Sequence, residues 1–222
     1  MKLKYQLKSV FVQPLSCMML GIITVIGISP LVLAVTGKVS LHSQEHSAQK
    51  IAQFSGTDTP ERSQLILQAN ALYNQGNFKG AEENLRKFLK KFPEDAFGHF
   101  QLGNTLFRQN KPEAAVSAYR EAIRIRSQYA LAYNAIGMVY ASQNRWEEAI
   151  TEYQKALEIN PSYGEALTNV ALVLWQTNKR DEALSSLEKA LNIFKAQNRN
   201  EKVKQIEQIL REIKTSDDPS VS

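Results

Sequence analysis

From residue 62 onward, apolar side chains recur at intervals of three and four, the spacing that gathers them on one face of an α-helix. The blocks come in pairs. Within 130–163, Tyr133, Ile136 and Tyr140 mark one helical face. Tyr153, Leu157 and Ile159 belong to a second, with a polar turn at Gln143–Asn144 between them. The arrangement returns after 34 residues. Ala81, Ala115, Ala149 and Ala183 keep that step, and so do Ala69, Gly103, Gly137 and Ala171. The turn column Gly76, Asn110, Asn144, Asn178 and the column Leu85, Tyr119, Tyr153, Leu187 follow suit. One period held by several columns through four copies is the signature of a repeat array.

The columns have physical reasons. A single helical hairpin cannot bury its apolar face, so it stacks on the next hairpin and the core becomes continuous. Helices that cross at short range need small residues there, which accounts for Gly137 and Ala149. A proline after the second helix, Pro93 or Pro161, stops it from continuing. Ser127 and Lys195 stand at that place in the other two units, and without a proline the last second helix is expected to run on to Ala196. The units read as 62–95, 96–129, 130–163 and 164–197. Residues 198–215 form a capping helix, with Val203, Ile206, Ile209, Leu210 and Ile213 on one stripe and a polar opposite face. Residues 216–222 are a polar tail.

The spacing Tyr133, Ile136-Gly137, Tyr140, Ala149, Tyr153, Ala156, Pro161 resembles the tetratricopeptide repeat family. The resemblance covers four units and implies an all-α fold, an α-α superhelix with a C-terminal capping helix. It implies protein–protein interaction in general terms, since such repeats serve many processes.

Ahead of the array the composition changes twice. Lys2, Lys4 and Lys8 precede a stretch from Ser9 to Gly37 with no charged residue, and Leu15–Val35 is a mostly apolar run. Its length suits a membrane-spanning helix, which needs about 20 apolar residues. Pro30 and the sequence Ala34-Val35-Thr36 leave a cleaved signal peptide open as the alternative for residues 1–38. With either, lysines before the run favour a cytoplasmic N-terminus and an exported repeat domain. The expected location is therefore a membrane crossed through residues 9–37, or a periplasmic or secreted domain after cleavage. Residues 39–61 are a polar linker. The net charge of +5 gathers toward the N-terminus, with Lys2, Lys4, Lys8 and Lys38 unopposed there, so the array itself gives no basis for nucleic-acid binding.

The candidate chemistry is sparse. His42 and His46 are four apart without a third ligand nearby, and His99 falls at a packing position. The single Cys17 excludes an intrachain disulfide framework. No nucleophile–base pair, Gly-rich phosphate loop or HExxH motif is present, so neither enzyme activity, metal nor cofactor is expected. The resemblance instead points to the inner face of the superhelix, lined by the first helix of each unit. There it places Asn70 and Tyr73, then Phe97, Phe100, Asn104 and Phe107, then Asn134 and Met138, and finally Leu172 and Trp175. These are the expected contacts for a protein or peptide segment, the amides bonding its backbone. Some family members clamp a chaperone's C-terminal carboxylate with Lys, Asn and Arg. The matching positions are Ile66, Asn70, Gln101, Leu131 and Ala135, of which only Asn70 fits, so no such tail is expected. A scaffold or assembly factor is the reading. Self-association in a structural role, or kinship with tetratricopeptide factors that assist photosystem assembly, are the alternatives.

Overall fold

The structure is a computed structural model and describes residues 59–215. The apolar run at 9–37, His42, His46, most of the linker and the tail lie outside the described residues. The repeats lie in the compact unit 64–222, and their first helix begins slightly before it, at Pro60. Among the described residues there are nine helices and no strand. They are α1 (Pro60–Asn74), α2 (Phe78–Lys91), α3 (Ala96–Arg108), α4 (Pro112–Ile125), α5 (Ala130–Ser142), α6 (Trp146–Ile159), α7 (Gly164–Gln176), α8 (Arg180–Ala196) and α9 (Asn200–Thr215). The all-α solenoid expected from the pattern is the fold observed.

The hairpins are α3–α4, α5–α6 and α7–α8, and each leans on the next through α4–α5 and α6–α7 contacts. First helices also meet directly, α3 with α5 and α5 with α7. The turn column explains itself. Gly76, Asn110, Asn144 and Asn178 all have positive φ, between 59° and 77°. That left-handed conformation suits glycine and is tolerated best by asparagine among other residues. Each turn folds back so that the next N–H reaches a carbonyl five residues earlier: Lys111 to Leu106 at 3.0 Å, Arg145 to Tyr140 at 3.0 Å, Lys179 to Leu174 at 2.8 Å. Carbonyls left over at the helix end are thereby satisfied.

The small-residue column lies at the centre of the packing. Ala81, Ala115, Ala149 and Ala183 are all fully buried. Another column, Phe88, Ala122, Ala156 and Ala190, is equally buried and contains one large member. Room for Phe88 comes from Gly98 on the following helix, where an added Cβ would lie 2.5 Å from the ring. The units that carry Ala122 and Ala156 face Ala132 and Ala166 in that place. Volume is exchanged across the junction and the interior stays filled, as close packing requires.

The ends of the second helices follow local chemistry. In α4 the chain leaves the helix at Arg126, φ −129° and ψ 93°, so a proline is not needed there. In α8 nothing stops the helix, and it runs 17 residues against 14 for α6. It closes with Asn198 in the left-handed region and Arg199 N–H on the Phe194 carbonyl at 2.9 Å. Helix α9 then covers the array with Ile206, Ile209, Leu210 and Ile213 buried, and Arg180 donates to the Ile213 carbonyl at 2.8 Å. Among the described residues no helix is long and apolar enough to cross a membrane.

Candidate functional site

The residues expected to line the inner face all belong to first helices, α1, α3, α5 and α7. Their amide oxygens are taken by side chains outside that set. Gln101 donates to Asn70 Oδ1 at 2.6 Å, Asn104 donates to Gln101 Oε1 at 3.0 Å, and the Tyr119 hydroxyl donates to Asn104 Oδ1 at 2.8 Å. The chain of bonds joins α1 to α3 and α3 to α4. A second link joins α5 to α7, from Asn169 to Asn134 Oδ1 at 3.0 Å. The other end of Asn134 lies 3.7 Å from Met138 Sδ, and the residue is 5% exposed. A partly buried amide with its partners made contributes about 1 kcal/mol, and one left without them costs more. Asn70 and Asn134 therefore fasten neighbouring first helices together, and Asn104 ties α3 to α4. Gln101 and Asn169 occupy one column of the repeat, two periods apart; the 34-residue step that exposes the array also exposes them.

The aromatics divide into two kinds. The Phe100 ring lies between two tyrosines of its own repeat, 5.7 Å from Tyr119 and 5.3 Å from Tyr129. Burial pushes Tyr129 up to about 12, with Arg126 over its ring opposing. It also keeps Tyr119 and Tyr153 protonated well beyond the usual phenol range. All three phenols serve as packing groups and not as acids or bases; the Tyr119 hydroxyl donates to Asn104, whereas the buried Tyr153 hydroxyl has no hydrogen-bond partner among the described residues. Tyr73 meets Phe78 edge-on at 5.3 Å, and Arg108 caps that pair at 4.6 Å from Phe78.

Phe97, Phe107 and Trp175 form the second kind. They are half-buried and have no ring partner among the described residues. Met138 is half-buried too, while Leu172 is buried. On the same helices Leu67 and Leu131 are the large apolar side chains most open to water, 48% and 45% exposed. The positions a carboxylate clamp would use hold buried Ile66, buried Ala135, exposed Leu131 and the mutually bonded Asn70 and Gln101. His99 bonds through Nε2 to the Pro93 carbonyl at 2.8 Å. Among the described residues no His, Cys, Asp and Glu cluster is arranged to hold a metal.

Comparison with known proteins bears on the fold and the family. The structure resembles the crystal structure of MamA at 25% identity with a TM-score of 0.58, covering 78% of this chain and 99% of that one. It resembles a structure from a functional characterisation of Pseudomonas aeruginosa pilF at 23% identity and a TM-score of 0.55, covering 68% and 75%. It also resembles the first repeat domain of Spaghetti (RPAP3) bound to an HSP90 peptide, at 22% identity and a TM-score of 0.51, covering 55% and 97%. The last two likenesses concern the fold alone. No curated protein matches. Models of the tetratricopeptide repeat match residues 66–130 and 128–196. Proteins built from this repeat are generally interaction scaffolds that bind protein or peptide partners. With most of the chain matched, and with the hairpins, left-handed turns and buried small-residue columns in place, this protein belongs to the tetratricopeptide repeat family.

Proposed function

We propose that the protein is a membrane-tethered interaction scaffold or assembly factor that holds a segment of a partner protein against its first helices. The observation that supports this is that Phe97, Phe107, Met138 and Trp175, all on first helices, are only half-buried, and that Leu131 on the same set of helices is exposed. Apolar groups gathered on one surface mark interaction sites more often than scattered ones do. Tyr73, Phe100 and Leu172 form the floor, and Asn70, Asn104 and Asn134 hold the wall, since their carbonyl oxygens already receive Gln101, Tyr119 and Asn169. The partner is thus held mainly by apolar contact, with backbone bonds made only where it displaces one of these links.

The tether is residues 9–37, and the array works on the exported side of the membrane. Support comes from the uncharged apolar run preceded by three lysines. Two measurements on the full chain test the proposal. Carbonate extraction should leave the protein in the membrane fraction with its N-terminus intact; a mature N-terminus near residues 35–40 would replace the tether with a cleaved signal. A photoreactive side chain in place of Phe107 should crosslink a membrane-associated partner that the same group at exposed Lys189 does not. Equal labelling from both positions would overturn the groove.

A further inference from the structure

The junctions between repeats supply an internal comparison. Between the first and second units, Glu82 on α2 receives Arg86 from its own helix at 2.9 Å. From the next hairpin turn it receives Gln109 at 2.8 Å and Lys111 at 3.0 Å. Burial opposes ionisation of this carboxyl, but the bonds from Lys111, Arg86 and Gln109 outweigh it and hold the group at about 2. The site is a small carboxylate receptor filled from within.

Thirty-four residues later the receptor recurs without its carboxylate. Arg120 stands in the place of Arg86, Gln143 in that of Gln109 and Arg145 in that of Lys111, while Val116 replaces Glu82. Where the carboxylate would be there is a recess of about 300 Å³, lined by these four residues together with Glu113 and Tyr140. Val116 and Tyr140 are buried, 9% and 6% exposed. Both arginines converge on Tyr140. Arg120 donates to its hydroxyl at 3.1 Å, and the Arg145 guanidinium carbon lies 4.2 Å from the ring centroid. Among the described residues no carboxylate is within ion-pair distance of Arg120. Arg145 pairs with Glu148 at the surface and donates to Gln143 at 3.3 Å, and Gln143 donates to Glu113 at 2.9 Å. Exposed contacts of that kind are weak and exchangeable. At the next junction the three donors become Gln154, Thr177 and Lys179, so the cluster is particular to this place.

We propose that this recess receives the side-chain carboxylate of an Asp or Glu on a partner protein. The acid takes the position that Glu82 takes one junction earlier. Arg120 and Arg145 bind its oxygens by their planar forks, Gln143 donates from one side, and the methylene stem lies on Val116. Glu113 at the rim disfavours a second negative charge, so a single acid on an apolar stem fits better than a phosphate dianion. None of these residues is on the inner-face row, and the site operates whether or not that row binds a segment.

The test uses the full chain labelled at arginine and glutamine side-chain nitrogens. Acetyl-Glu-N-methylamide is the probe, with acetyl-Gln-N-methylamide and inorganic phosphate alongside. The glutamate compound should shift Arg120 and Arg145 Nε–H and the Gln143 amide saturably, with a Kd of order 1–10 mM, at least about tenfold tighter than the glutamine compound. Arg120→Gln should abolish the shift at an unchanged melting temperature. Val116→Glu should close the site to the probe, and its new carboxylate should titrate below the usual glutamate range. Equal binding of the two compounds, no saturable shift, tighter binding of phosphate, or ordinary titration of that new carboxylate would each overturn the assignment.

Discussion

The Tyr153 ring lies across Gly137, so close that a Cβ on the glycine would be 2.6 Å from the tyrosine Cε1. Tyr119 and Gly103 repeat the relationship at 2.5 Å. In the outer units the same two columns hold Ala69 with Leu85 and Ala171 with Leu187. The two sizes change together, glycine with tyrosine and alanine with leucine.

Gly137→Ala should therefore destabilise the protein despite the better helix propensity of alanine, worth about 1 kcal/mol. Overpacking costs about 1–3 kcal/mol, and Tyr153, fully buried, has nowhere to go. Adding Tyr153→Leu should restore much of the loss. Chemical denaturation of the two single variants and the double variant gives the coupling; additive effects would mean that the pair does not determine the fit.

Ala149→Arg should loosen more than its own hairpin. The site has no exposure at all, so the substitution adds an unpaired buried charge to the overpacking, with a total above about 3 kcal/mol. Neighbouring units share their interfaces. Hydrogen exchange should accelerate in α4 and α7 as well as in α5 and α6; acceleration confined to one hairpin would show that the repeats are energetically separate.

Glu82 gives the array a pH-dependent clasp. Its folded carboxyl is held at about 2, below the unfolded value near 4.3. Its contribution is therefore fully present above pH ~4.5 and is lost as pH falls toward 2. Lys111 and Arg86 are 48% and 61% exposed, and screening reduces the contribution to about 1 kcal/mol. Urea unfolding of Glu82→Gln should show that deficit at pH 7 and little of it near pH 2. A deficit independent of pH would assign the effect to packing.

Phe100 and Phe107 should separate by outcome. Phe100→Ala removes a ring packed against two tyrosines and should cost about 3–5 kcal/mol of stability. Phe107→Ala should leave melting nearly unchanged and weaken partner capture about 30-fold or more. If the second variant melts many degrees lower, Phe107 is part of the core and the binding surface is smaller.

The array was legible in the sequence because its determinants are local and repeated. A left-handed turn needs Gly or Asn, and Gly76, Asn110, Asn144 and Asn178 announce it every 34 residues. The Gly137 and Tyr153 columns were visible too, but their contact joins two helices and emerges only from the way their sizes change together. The amides were harder to read. Asn70, Asn104 and Asn134 look like free ligand groups on a helical wheel, whereas their partners Gln101, Tyr119 and Asn169 come from neighbouring helices. Phe100 was placed by Tyr129, a residue just ahead of α5 that no helical period reports.

The Phe88–Gly98 exchange means that these units are not spare parts. Excising the second hairpin so that the first ran straight into the third would set Phe88 against Ala132, whose methyl occupies the space that Gly98 leaves open. A duplicated first unit would set Phe88 against Gln64, a larger side chain still. The pair acts as a key that admits one neighbour, and it gives the chain a reading direction: the order of its repeats is written into the shape of their junctions.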